Sequence, residues 1–286
     1  MSDTQFAKVA VLGAGTMGAG IAQVCAQAGS TVVLQDITDE FVQKGLARVQ
    51  AFLQKGVDRG KTTEAVRDEV LSRITITSDR KEAATGADLV VEAVPEKLEL
   101  KNGLFRELAD IVSATCVLGS NTSSLSLAKV FEGVANPERC IGMHFFNPVP
   151  LMKLLELVRT DATSQVTIDS VTVYSKQLGK EPIIVKDSPG FASSRLGVCL
   201  GLEAIRMLES GVASAEDIDK AMVLGYGHPM GPLKLTDLVG LDVRLAIADY
   251  LRTELDLAGF EAPELMRKMV ADGKLGKKSG QGFYAW

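Results

Sequence analysis

The run Gly13-Ala14-Gly15-Thr16-Met17-Gly18 constrains this chain more than any other stretch, because of what stands on either side of it. Before it, Lys8-Val9-Ala10-Val11-Leu12 is a short, almost continuous apolar run, as in a strand buried on both faces. After it, Met17, Ile21, Val24, Cys25 and Ala28 recur at helical spacing until Gly29 closes the segment. A second apolar run, residues 31–35, ends at an acid, Asp36. The glycines divide the mechanical work between them. Gly13 permits the tight turn, Gly15 lets the backbone approach a pyrophosphate, and Gly18 lets helix and strand pack closely. Thr16 and Met17 open the helix, whose N-terminal N–H groups and dipole favour phosphate. Asp36 suits a ribose 2′-hydroxyl and repels a 2′-phosphate, and Ile37 and Thr38 supply no compensating arginine. The unit therefore predicts dinucleotide binding, with NAD preferred over NADP; a Gly-rich turn without a ligand would leave Asp36 unexplained.

Further along, a long polar helical region is expected over residues 39–72. Strands are expected at 74–77, 88–94, 117–120 and 141–145, separated by helical segments. Late strands at 154–158 and 182–185 flank a helix at 167–178. Past Asp187-Ser188-Pro189-Gly190 the strand signal stops, and helices broken by Gly/Pro turns such as Gly227-His228-Pro229 take over. The expected fold is α/β: an N-terminal Rossmann-type doubly wound sheet over residues 1–186 and a smaller all-α C-terminal domain over 187–286. A chain of 286 residues accommodates both.

A net charge of −5 argues against broad electrostatic capture of nucleic acid, so an anionic ligand must be held by local basic or backbone N–H groups. The first residues lack a signal-peptide apolar core, and no run approaches membrane-spanning length, so a cytoplasmic, membrane-free protein is expected. Cys25, Cys116, Cys140 and Cys199 are scattered and read as small buried residues in a reducing compartment. They form no metal constellation with the two distant histidines.

One of those histidines lies in His144-Phe145-Phe146-Asn147-Pro148-Val149-Pro150, with Glu156 beyond the turn. If strands flank the turn and the loop centres near Pro150, His144 and Glu156 face each other across the hairpin. A histidine held by a carboxylate is a general base suited to neutral pH; the alternative is a satisfied histidine at a sheet end with an unrelated glutamate nearby.

Together with the glycine motif, Ser120-Asn121-Thr122-Ser123-Ser124-Leu125, His144 to Pro150 and Pro229-Met230-Gly231-Pro232 make the sequence resemble the L-3-hydroxyacyl-CoA dehydrogenase family, with its bacterial 3-hydroxybutyryl-CoA dehydrogenases. The resemblance covers nearly the whole chain, as far as Gly276-Lys277-Lys278-Ser279-Gly280-Gln281-Gly282-Phe283-Tyr284. It implies reversible oxidation of a short-chain (S)-3-hydroxyacyl-CoA by NAD, a homodimer joined through the helical domain, and a place in fatty acid metabolism. On it, His144 matches the general base and Glu156 its paired carboxylate. Ser123 matches a serine touching substrate and cofactor, and Asn147 an asparagine near the nicotinamide. Glu96 and Lys101 match contacts to cofactor ribose or phosphate, and Lys278 one that reaches the cofactor from the other domain.

Each has a plainer alternative. Ser123 or Ser124 reads as a helix cap, a role left to Ser124; Asn147 reads as turn chemistry, Lys101 as an exposed helical lysine and Lys278 as part of a solvated basic loop. Ser194 departs from the family, which has asparagine there beside the substrate carbonyl; the shorter hydroxyl puts chain-length preference and turnover in question. Lys55, Arg59 and Lys61 are the nearest basic cluster for CoA phosphates, or simply a solvated helix end, and His228 reads as structural. Two other functions stay open: a dehydrogenase of a small hydroxy acid without CoA, and a catalytically inactive dinucleotide-binding protein of crystallin type.

Overall fold

In a computed structural model that describes residues 5–286, the short apolar runs up to Asp187 assemble into one eight-stranded sheet. The strands are β1 (Lys8–Leu12), β2 (Thr31–Gln35), β3 (Ile74–Thr77), β4 (Leu89–Glu92), β5 (Val117–Ser120), β6 (Cys140–Phe145), β7 (Leu154–Arg159) and β8 (Glu181–Lys186). Their order is β3-β2-β1-β4-β5-β6-β7-β8. The first six pair parallel, β6 and β7 pair antiparallel, and β8 runs parallel to β7. Strand order reverses between β1 and β4, which creates the crevice at their carboxyl ends where ligands of such sheets gather.

Among the described residues, seven helices accompany the sheet: α1 (Thr16–Gln27), α2 (Asp39–Asp58), α3 (Glu64–Ser72), α4 (Arg80–Ala84), α5 (Leu98–Ile111), α6 (Leu127–Val130) and α7 (Gln165–Gln177). Val9, Val11, Ile21, Val24, Leu34, Leu89 and Val91 join in one core, each such side chain stabilising by ~1.5–3 kcal/mol on full burial. The polar helical region expected over 39–72 comprises two helices, α2 and α3. Gly60 adopts a left-handed φ of +65°, which α-helix cannot continue, and the Thr63 hydroxyl restarts the chain by accepting from Val66 N.

The second unit, Ser188–Trp286, is helical: α8 (Ser193–Glu209), α9 (Ala215–Tyr226), α10 (Pro232–Val239), α11 (Leu241–Leu255) and α12 (Glu264–Ala271). Leu202, Ile205, Leu233, Leu251 and Met266 form its core. Two buried aspartates brace it. Asp219 caps α10 by accepting from Leu233 N and Lys234 N at 2.8 and 2.9 Å. Asp237 accepts from Phe283 N, Tyr284 N and Trp286 Nε1, all at 2.9 Å, and so ties the last residues to α10.

Burial pushes the thiols of Cys25, Cys116 and Cys140 up to about 12, in keeping with their reading as inert packing residues. Cys199 departs from it, because α8 turns this position outward. Among the described residues no helix is long and apolar enough to cross a membrane.

Candidate active site

The glycine motif behaves as its geometry requires. Gly13 has φ +98°, and a Cβ there would meet the Ala93 carbonyl oxygen at 2.5 Å. A Cβ on Gly18 would strike the Gly13 carbonyl, so its absence lets α1 lie close on β1. At Gly15 a Cβ would find nothing within 4 Å: this position faces open space at the start of α1. No side chain caps that end of the helix, which leaves its first N–H groups aimed outward for an anion. A groove of about 820 Å³ opens there, lined by Gly13, Gly15, Thr16, Met17, Asp36 and Val94 among others.

Asp36 reaches the groove from the end of β2 while accepting from Ala14 N and Ile37 N, each at 2.7 Å. It thus also holds the glycine turn in shape, and its two oxygens keep lone pairs for ribose hydroxyls. Outward N–H groups for phosphates, an acid for a ribose and the open side of Gly15 together fit a dinucleotide.

Beyond β4 the chain carries an unexpected charge cluster. Glu92 and Lys101 are both fully buried, with Lys101 Nζ 2.5 Å from Glu92 Oε1 and 3.2 Å from Glu96 Oε2. Lys101 is therefore no exposed helical lysine: the first turns of α5 direct it inward. Burial raises the Glu92 carboxyl above its ordinary range, and Lys101 opposes that rise. Glu96, half-exposed, accepts at Oε1 from the Thr122 hydroxyl at 2.5 Å and from Ser123 N at 2.9 Å.

The Ser120–Leu125 loop leaves β5 at this point. Thr122 Oγ1 accepts from Leu125 N at 3.1 Å, and Ser126 caps α6 by accepting from Lys129 N, so the capping role assigned to Ser124 belongs to its neighbours. Asn121 Oδ1 accepts from Phe145 N at 2.9 Å and joins this loop to the end of β6.

There His144 and Glu156 stand directly opposite in the antiparallel β6–β7 register. His144 Nδ1 lies 2.7 Å from Glu156 Oε2, with both residues buried, a geometry in which an Nδ1–H donates to the carboxylate. The following Asn147–Pro148 peptide is cis, and Asn147 lines a cavity of about 210 Å³ with Thr16, Gly20, Arg48 and Phe52. Lys180 Nζ pins the same turn by donating to Val149 O and Met152 O at 2.5 and 2.8 Å.

The first unit thus assembles the glycines, Thr16, Met17 and Asp36 around one groove, Glu96 with Lys101 and Ser123 at the end of β4, and His144 with Glu156 across one register. In the second unit Ser194 occupies the first turn of α8, and Lys278 pairs with Asp242 at 2.5 Å. Lys55, Arg59 and Lys61 lie exposed at the C-terminal end of α2. Sequence reasoning missed Glu92, Thr122, Asn121 and Lys180. Glu92 left a signal of the kind that exposed Asp36, an acid closing an apolar strand. Lys180 left none.

Two family models divide the chain between them: 3-hydroxyacyl-CoA dehydrogenase, NAD binding domain, matches residues 8–188, and the C-terminal domain of the same dehydrogenase matches 190–286. A probable 3-hydroxybutyryl-CoA dehydrogenase of Deinococcus radiodurans is 45% identical, over 98% of this chain and all of that protein (100%). The crystal structure of (S)-3-hydroxybutyryl-CoA dehydrogenase PaaH1 from Ralstonia eutropha is similar at TM-score 0.94 and 44% identity, covering 98% of this chain and 99% of that one. That of M. tuberculosis FadB2 is similar at TM-score 0.95 and 42% identity, covering 99% and 100% respectively.

Proposed function

Because the chain belongs to the 3-hydroxyacyl-CoA dehydrogenase family and carries its NAD-binding domain, we propose that it interconverts an (S)-3-hydroxyacyl-CoA and the 3-oxoacyl-CoA at the expense of NAD, with a short acyl chain such as 3-hydroxybutyryl. The balance is (S)-3-hydroxyacyl-CoA + NAD⁺ ⇌ 3-oxoacyl-CoA + NADH + H⁺. The observation that carries this reading is the buried His144–Glu156 pair, which dinucleotide binding alone does not require.

NAD, when bound, supplies the hydride acceptor. Everything else falls to side chains. His144, with Nδ1 engaged by Glu156, takes the 3-hydroxyl proton through Nε2, and returns it to the nascent alkoxide in reverse. Glu156 holds the ring orientation and tautomer and offsets the charge of the imidazolium. Burial of both groups strengthens that interaction and keeps water from the proton in transit. We assign Ser123 to the substrate oxygen and the cofactor, Asn147 to the nicotinamide end, and Gly13, Gly15, Thr16, Met17, Gly18, Asp36, Glu96, Lys101 and Lys278 to the cofactor. Ser194 is assigned to the substrate carbonyl, through a water where the hydroxyl falls short.

In this reading residues 1–186 hold NAD and the catalytic pair, and residues 187–286 serve substrate closure and dimerisation. Exposed Leu224 and Tyr226 of α9, at 81% and 78%, support burial of that unit against a second copy. Four unpaired thiols support a reducing compartment such as the cytoplasm, and the acyl-CoA substrate supports a role in fatty acid metabolism.

The test is NADH consumption with acetoacetyl-CoA and with free acetoacetate. Turnover of the thioester alone supports the assignment. Turnover of the free acid alone moves it to a hydroxy-acid dehydrogenase, and NADH binding without turnover of either replaces it with a binding protein.

A further inference from the structure

Three donors converge on the two oxygens of Glu92: Lys101 Nζ at 2.5 Å, Ser120 Oγ at 2.7 Å and Val94 N at 2.7 Å. Each of the three favours the ionised carboxylate and so opposes the rise that burial imposes on it. Its backbone continues the pattern, since the Glu92 carbonyl accepts from Asn121 N at 2.9 Å. A buried Lys–Glu pair is a poor way to stabilise a core, because apolar side chains of similar volume would serve as well or better. This pair sits where β4 and β5 end, directly behind Val94, which lines the groove.

From there contacts run outward in one chain. Glu92 holds Lys101, Lys101 Nζ lies 3.2 Å from Glu96, and Glu96 holds the Thr122 hydroxyl and the Ser123 amide. Glu92 also grips Ser120, where the same loop begins. We propose that Glu92 is a positioning residue: through Lys101 it sets the Glu96 carboxylate and the Ser123 loop in the geometry that cofactor and substrate meet. This rests on the roles given above to Glu96 and Ser123. It also gives buried Lys101 a second part beside its assignment to the cofactor, as the link from Glu92 to Glu96.

The experiment compares Glu92→Gln, Lys101→Met and the double variant by NADH titration, by kcat and KM with acetoacetyl-CoA, and by thermal melting. Glutamine keeps the shape of Glu92 and removes its charge. Glu92→Gln is expected to weaken NADH binding and to lower kcat/KM by ~10²-fold, the scale of a small misplacement of reacting groups. The double variant should match Lys101→Met, because Glu92 acts through the lysine. A lowered melting temperature with unchanged NADH affinity and kcat/KM would show a purely structural residue and overturn the proposal. If Glu92→Gln does not fold, the double variant, which removes both charges, decides. Equality with Lys101→Met supports the proposal, and a further loss of NADH binding overturns it. Wild type that binds NADH but leaves acetoacetyl-CoA untouched strikes the substrate assignment alone, because the NADH titration reads Glu92 without substrate.

Discussion

Glu92 and Glu156 are both fully buried and both end within reach of a basic side chain, yet their partners differ in kind. Glu156 faces His144, whose second ring nitrogen remains to exchange a proton with a substrate in the function we propose. Glu92 faces Lys101, an amine on a long aliphatic stem that bridges on to Glu96, and in our proposal that pair is a strut. The lesson is that burial of a carboxylate does not reveal its role; the chemistry of its partner is the better guide.

The comparison breaks first at the histidine. His144→Gln should lower kcat by ~10²–10⁴-fold while NADH binding persists, the usual range for loss of a general base, as steady-state rates beside an NADH titration would show. Near-normal turnover would reduce His144–Glu156 to a strut as well. Next comes the strut itself. Removing one partner of a buried pair costs ~3–5 kcal/mol, so Glu92→Gln should lower unfolding stability on that scale in urea, and Glu92→Gln with Lys101→Met should recover much of it. Failure to recover would mean that Ser120 and Val94, rather than Lys101, depend on the charge.

A smaller effect is expected at Glu156. Glu156→Gln keeps a hydrogen-bond acceptor for the ring but loses the charge that offsets the imidazolium, so kcat should fall by less than in His144→Gln, with His144 still in place to exchange the proton. An equal loss would show that the imidazole achieves nothing without the carboxylate charge beside it. Smallest is Asp36→Ala. It should narrow the preference for NADH over NADPH, and cost ~1.5–3 kcal/mol through the lost charge-assisted bond to Ala14 N, measured by denaturation and by the two cofactors' affinities. An unchanged preference would leave Asp36 as a brace of the glycine turn only.

How much of this was legible follows from the range of each interaction. The glycine turn, its helix and Asp36 lie within one βαβ unit, where local backbone rules decide the outcome, and the groove formed where the motif placed it. His144 and Glu156 are distant in sequence, but a hairpin centred near Pro150 fixes their register by counting, and the strands pair as counted. Lys101 heads the buried stripe Leu104, Phe105 and Leu108 of α5, a helical spacing that could have placed it inward, but its meeting with Glu92 depends on how α5 packs on the sheet. Lys180 escaped for a similar reason: it joins the end of α7 to the β6–β7 turn, and only the packed sheet brings them together. The cap of α6 was misplaced by two residues because Thr122, Ser123, Ser124 and Ser126 all offer hydroxyls near its start, and it is Ser126 that accepts from Lys129 N while Thr122 donates to Glu96.

By itself, then, the sequence determined the order of strands and helices, the phosphate-binding turn, the acid beside it and the facing of His144 to Glu156, all of which follow from backbone conformation and short-range counting. Only the tertiary structure decided which charges are buried together and what they hold. Burial is a property of the whole packed core, and a lysine one turn into a helix is a solvent residue or an internal strut depending on the strand it meets.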